Sequence, residues 1–134
     1  MLPFEFVVEG PPVSQQTRRK ARRRAWVDEL RRRAMSRWTT GEPPVVGPIR
    51  VDITYVFVSV TIDLDNLAKP VLDALKGVVF QDDGQISDMR IRKREFGRIM
   101  RIETPLPLLL EALDRAEEFL HILVEEAPDQ EVVD

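Results

Sequence analysis

Apolar and polar positions alternate from the start of the chain, where Phe4, Phe6 and Val8 stand between more polar neighbours. A period of two puts them on one face of a strand, and Gly10-Pro11-Pro12 ends it. Ser14 is placed to cap the next element. From about Gln15 to Trp38 the period lengthens: Val27, Leu30, Ala34 and Trp38 recur three or four apart, which predicts a helix with one apolar stripe and arginines on its other faces. Pro43, Pro44 and Pro48 mark a loop. Ile49 to Val60 is the strongest strand pattern; Ile49, Val51, Ile53, Tyr55 and Phe57 share a face, and both faces are apolar from Val56, as in a central strand. A helix is predicted over about Asn66–Lys76, stopped by Gly77, with Pro70 near its start. Val78–Phe80 reads as extended and Asp82-Asp83-Gly84 as a turn. Ile86–Glu95 and Arg98–Glu103 read as two strands joined at Phe96-Gly97. The last helix is predicted over Pro107–Glu126, where Leu109, Leu113, Ala116, Leu120 and Leu123 are spaced 4, 3, 4, 3.

The order β-α-β-α-β-β-α predicts an α+β fold: a single mixed sheet of about four strands with helices packed on it. Residues 1–104 form the expected domain, 105–126 a C-terminal helix extension, and 127–134 a frayed acidic tail. At 134 residues the chain can bury a core without a disulfide or structural metal. The absence of cysteine excludes thiol catalysis and thiolate metal sites. A single histidine, His121, argues against a His-built zinc site or a Ser-His-Asp triad, and is read as an ordinary helix residue. No apolar run approaches the ~18–20 residues that span a bilayer, and the start lacks the basic segment of a secretory signal. A cytoplasmic protein with no membrane partner is expected.

The net charge of −3 hides a strong segregation. Residues 17–38 are net +8, 90–102 net +5, and 103–134, with ten acids and Arg115, net −9. An acidic total therefore does not argue against a nucleic-acid partner, because the local field decides that.

The chemistry is concentrated in Asp63-Leu-Asp65-Asn66-Leu-Ala-Lys69-Pro-Val-Leu-Asp73 and Asp82-Asp83-Gly-Gln85-Ile86. Asp63 and Asp65, two apart at an expected strand end, can point to one side. Asp65 suits a helix N-terminus, and Lys69 falls one turn later on the same face. A helix of this length carries the chain about 16 Å away, and the extended return covers roughly 20 Å, so Asp83 can reach the pair. Three close carboxylates call for a hard divalent cation, Mg²⁺ or alternatively Mn²⁺. Such an ion activates water at a phosphate, with Lys69 as a neighbouring cation. The plainer readings are an N-cap for Asp65, a turn for Asp82-Asp83-Gly84, and an i,i+4 partner for Lys69.

The string DLDNLAKPVLDAL followed by DDGQI closely resembles the RusA family of Holliday junction resolvases, whose pattern is D-x-D-N-x-x-K, then D-A-L, then D-D-x-Q-I. Gly10-Pro11-Pro12-x-Ser14 is similar to the family's motif after its first strand. The likeness covers residues 4–14 and about 49–103. It implies that Asp63, Asp65 and Asp83 are catalytic, Mg²⁺-binding carboxylates, that Lys69 is functionally required, and that Asp82 is a possible additional acid. Asn66, Asp73 and Gln85 match motif positions and are read as supports. The resemblance also implies a homodimer that nicks two opposed strands of a four-way junction, leaving 5′-phosphate and 3′-hydroxyl ends in recombination and repair. The alternatives are a nuclease for other branched DNA, such as flaps and forks, or a catalytically silent DNA-binding protein on the same fold. The arginine-rich first helix and the C-terminal helix depart from the family pattern.

Candidate DNA contacts are Arg18, Arg19, Lys20, Arg22 and Arg23, with the Arg31-Arg32-Arg33 run further along the helix. Arg90, Arg92 and Arg94 alternate, and so form a second row on one sheet face. Trp26 and Trp38 are read as core rather than as base-stacking platforms. The C-terminal stripe is expected to pack, on its own sheet or on a dimer mate, rather than to shield the arginine helix.

Overall fold

The structure, a computed structural model, describes residues 1–59 and 62–134. Its elements are β1 (Phe4–Glu9), α1 (Lys20–Arg37), β2 (Ile49–Phe57), α2 (Leu64–Leu75), a 3₁₀ turn (Asp83–Gln85), β3 (Ile86–Glu95), α3 (Pro107–Arg115) and β4 (Phe119–Glu126). The four strands form one mixed sheet in the order β1-β4-β2-β3, with β2 and β3 parallel and the other pairs antiparallel. The expected α+β architecture with one mixed sheet is therefore present.

Strand alternation sorts the sheet into two faces. Phe4, Phe6 and Val8 of β1, Ile49, Val51, Ile53 and Tyr55 of β2, and Leu120, Ile122 and Val124 of β4 join the main core. That core is closed by Trp26, Val27, Leu30 and Ala34 of α1 and by Leu67, Val71, Ala74 and Leu75 of α2. On the reverse face, Leu109, Ala112 and Leu113 of α3 cover Val7, Val56 and Phe119. Both tryptophans are core, as expected: Trp38 stacks edge-on against Phe4 at 5.0 Å and donates from Nε1 to the Glu42 carbonyl at 3.0 Å.

Several expectations are corrected. The predicted Pro107–Glu126 helix ends at Arg115, and its second half is β4, a strand bonded on both sides. Phe119 to Val124 is a continuous buried run, including β-branched Ile122 and Val124, which fits a strand buried on both faces better than a one-sided helix. The helical spacing of the leucines is a coincidence of two elements in series. The fourth strand of the sheet is therefore β4, and residues 98–103 form no strand. His121 lies on that strand, 2% exposed. Ser14 does not cap α1; its Oγ accepts from the Gln16 N–H at 3.1 Å, and the helix starts later, at Lys20. Val60, the expected last residue of the second strand, lies outside the described residues.

Candidate active site

Both carboxylates are positioned by α2: the helix N-terminus expected for Asp65 is present, but the strand end expected beside the pair is not. β2 stops at Phe57; Asp63 occupies the N-cap position of α2 and Asp65 its first turn. The Asp63 carbonyl accepts from the Asn66 and Leu67 N–H groups at 3.0 and 3.2 Å, and Asp65 Oδ1 accepts from Asn66 N at 3.1 Å. Both carboxylates are exposed, at the helix end where the partial positive charge of unpaired N–H groups favours an anion. The segment after β1 lies alongside, with Gln15 N donating to the Asn66 carbonyl at 3.0 Å.

One turn into α2, a chain of charged contacts begins. Lys69 Nζ lies 2.9 Å from Asp73 Oδ1 and 3.6 Å from Asp83 Oδ2. Asp73 uses its other oxygen, Oδ2, to accept from Arg23 Nη2 of α1 at 2.6 Å. Arg23 is held in turn by Gln15 Oε1, 2.7 Å from its Nε. Burial works against the Asp73 charge, but the bonds from Lys69 and Arg23 outweigh it and hold the carboxyl below the usual carboxylate range. The Asp73 bond raises the Lys69 ammonium above its ordinary value, with Asp83 adding to it, so Lys69 is a permanent cation here. Arg31 supports the same helix by donating to the Asp73 and Ala74 carbonyls at 2.8 and 3.1 Å, where the α2 backbone lacks intrahelical partners.

Asp83 enters from the other end of the loop. Asp82 Oδ2 accepts from Gly84 N at 3.0 Å, and Gln85 Oε1 accepts from the Asp82 and Gln81 N–H groups at 2.9 and 2.8 Å. Gln85 Nε2 reaches the Val45 and Gly47 carbonyls, tying the loop before β2 to the turn before β3. This stapled turn presents Asp83 toward Lys69. Asp82 is committed to capping and to Lys76, 3.4 Å away; the Gly84 N–H, then Lys76, keep its carboxyl below the usual range.

Of the residues singled out in the sequence, the structure thus brings Lys69, Asp73, Asp83 and Arg23 together. Asp63 and Asp65 stand at the start of the same helix. Among the described residues, no three His, Cys, Asp or Glu side chains lie close enough to hold one metal ion. The donors nonetheless suit a hard cation in kind. All are oxygens, and Asp83 Oδ1 is buried without a hydrogen-bond partner, a costly state that a cation would relieve.

The basic segment divides in two. Arg23 and Arg31 turn inward to α2, and Arg32 and Arg33 pair with Glu29 on the same helix. Arg18, Arg19, Lys20 and Arg22 are exposed and, among the described residues, make no ion pair. Sequence reasoning missed the internal work of Arg23 and Arg31. Their partners lie 50 and 42 residues away, and nothing local distinguishes them from the other arginines.

The family model described as Endodeoxyribonuclease RusA matches residues 9–104, more than two thirds of the chain and the whole of the carboxylate, lysine and capped-turn region. No curated protein matches the chain as a relative.

Proposed function

Because this chain belongs to the RusA endodeoxyribonuclease family, we propose that it is a Mg²⁺-dependent nuclease that resolves four-way DNA junctions by paired nicks, acting as a homodimer. The observation that carries the reading is the contact chain Arg23–Asp73–Lys69–Asp83, which fixes a permanent cation beside a carboxylate with an unsatisfied buried oxygen. Asp83, with its unpartnered buried oxygen, would hold the ion, and Asp63 and Asp65 at the start of α2 would join it as the ion drew the carboxylates closer together than they stand here; Mn²⁺ is an alternative. When bound, the ion supplies an activated water and neutralises charge on the scissile phosphate. Lys69 places a positive charge where the phosphate gains negative charge, and Asp73 sets its direction without touching the substrate. The exposed cations Arg18, Arg19, Lys20 and Arg22 supply sequence-independent affinity through phosphates. A two-fold dimer matches paired nicks, because two symmetry-related strands need two sites.

The test is cleavage of a synthetic four-way junction against a linear duplex and a flap, with and without Mg²⁺. Mg²⁺-dependent, symmetric nicking of the junction is expected. Equal cutting of all three substrates, or of the flap alone, would move the assignment to other branched DNA, and no cutting with intact binding would leave a silent DNA-binding protein.

A further inference from the structure

The reverse face of the sheet carries a groove of about 930 Å³ that contains none of the residues described above as the candidate active site. Its floor is built by alternation. Asp52 and Thr54 of β2 stand in register with Arg90 and Arg92 of β3, and Val56 with Arg94. This parity is opposite to that of Ile53 and Ile91, which belong to the core under α1 and α2. Residues 98–106 and the edge of α3 form the wall.

The charges of this groove are not balanced from within. Arg50 takes the available acids, lying 2.7 Å from Glu125 and 3.5 Å from Asp52. Arg98 and Arg101 of the wall pair with Glu95 and Glu103. Arg90, Arg92 and Arg94 have no carboxylate partner among the described residues. Arg92 donates to Thr54 Oγ1 at 2.8 Å and Arg94 to the Lys93 carbonyl at 2.8 Å, so two of the three are held by neutral groups. Burial, and then the crowding of Arg90, Arg94 and Arg50 against the pull of Asp52, lowers the Arg92 guanidinium from its ordinary value. At the floor, Asp52 is 5% exposed, and its Oδ1 faces Arg50 Nε at 3.5 Å as an ion pair without a hydrogen bond. A row of cations without carboxylate partners is complementary to an external polyanion. Neighbours in the row are about 6.6 Å apart, so it spans roughly 13 Å, the axial length of about four phosphates on one DNA strand.

We propose that this reverse face is a second DNA-backbone surface, which holds a duplex arm of branched DNA other than the arm at the carboxylates. The inference rests on the nuclease reading for its substrate. The two cationic surfaces flank opposite faces of one sheet, the α1 quartet on the helix side and the β3 row on the reverse side. A straight duplex lies along one of them at a time, whereas two arms diverging from a branch point engage both. Preference for branched DNA then follows from the fold, without base contacts.

The test is equilibrium binding of a fluorescent four-way junction and of a linear duplex of one arm's sequence, with EDTA present, across a salt series. Two full-length variants are compared with wild type: R90A/R92A/R94A, and R90A/R94A, which changes only exposed side chains. The triple variant should weaken junction binding roughly tenfold near 0.1 M salt and flatten the logarithmic salt slope by about 2.7. The double variant should flatten it by about 1.8. Linear-duplex affinity should stay within about twofold for both. Equal loss on the two DNAs, or no loss on either, overturns the proposal. So does a change in oligomeric mass, which would make this face a contact between copies of the chain. Because binding is read without cleavage, failure here is distinct from failure of wild type to cut a junction.

Discussion

Asp73 touches two cations with its two oxygens, Lys69 at 2.9 Å and Arg23 at 2.6 Å, and both contacts depend on its charge. Asp73→Asn keeps the shape and removes the charge. On the proposed reading, turnover on a junction should fall by about tenfold or more, while the dissociation constant moves only a few-fold, since other cations hold the phosphates. An affinity loss with turnover preserved at saturation would make the aspartate part of the binding surface instead. The same variant has a stability signature. The folded-state carboxyl lies below its unfolded value, so the contribution, about 1 kcal/mol for such half-exposed pairs, is complete above roughly pH 4. It is lost as pH falls through the folded value. The melting temperatures of wild type and Asp73→Asn should therefore differ near neutrality and converge in acid. The sequence made the lysine face of α2 legible, because i and i+4 spacing is local. It set Asp65 correctly at the helix N-terminus but put the pair at a strand end, because the apolar pattern continues past Phe57, where β2 stops.

His121 shows the same limit in a buried setting. Its Nε2 lies 3.0 Å from Glu5 Oε2, and Glu5 Oε1 accepts from Leu108 N at 2.7 Å, so one carboxylate joins β1, β4 and the start of α3. Burial pushes the imidazole pKa down more than Glu5 raises it, and His121 folds neutral. Below about pH 6.5 the unfolded chain binds a proton there that the folded chain refuses, so stability should fall as pH drops below ~6.5, until the folded ring itself protonates. Melting curves at these pH values should show that slope for wild type and a shallower one for His121→Gln, which retains a donor toward Glu5. Equal slopes would show that the ring is not held neutral by the fold.

Among elements, the instructive case is the C-terminal third. The apolar spacing at 109, 113, 116, 120 and 123 satisfies a helical period, yet α3 supplies only its first part, and the remainder is a central strand. A run buried on both sides carries no alternation, so its period is uninformative, and length and β-branching must decide. The two readings bury different residues. A single helix would bury Leu120 and Leu123 and leave Ile122 off the stripe, whereas β4 buries Ile122 completely between β1 and β2. Ile122→Ala should cost about 2–5 kcal/mol, read as a denaturation midpoint. Leu110→Ala, at an exposed α3 position, should cost less than about 0.5 kcal/mol. Comparable small losses at both sites would return the segment to a helix. The first three strands and the two large helices were legible, since their alternation or stripe is one-sided. Arg50, Asp52 and Thr54 also alternate within β2, a local sign of a polar reverse face.

At the scale of the molecule, charge is partitioned by layer. The exposed quartet Arg18, Arg19, Lys20 and Arg22 lies at the start of α1 on the helix side of the sheet. Part of the acidic C-terminal block is spent elsewhere: Glu118 accepts from the Tyr55 hydroxyl and Val58 N, Glu125 pairs with Arg50, and Glu111 with Arg115. α3 packs on part of the reverse face, so its acids do not lie over α1, and the expected packing role of its leucines is met on its own sheet. The quartet is thus free to meet phosphates. Removing it should reduce affinity for linear duplex and junction alike, because it serves whichever duplex lies at the carboxylate side. With four phosphates no longer neutralised, the slope of log K against log salt should flatten by about 3.6 for either DNA. The wild-type difference between the two DNAs, carried by the β3 row, should survive. The measurement is a salt series on R18A/R19A/K20A/R22A between about 50 and 200 mM, the range over which phosphate neutralisation dominates. A quartet variant that lost junction affinity alone would exchange the roles of the two surfaces and place branch recognition on α1.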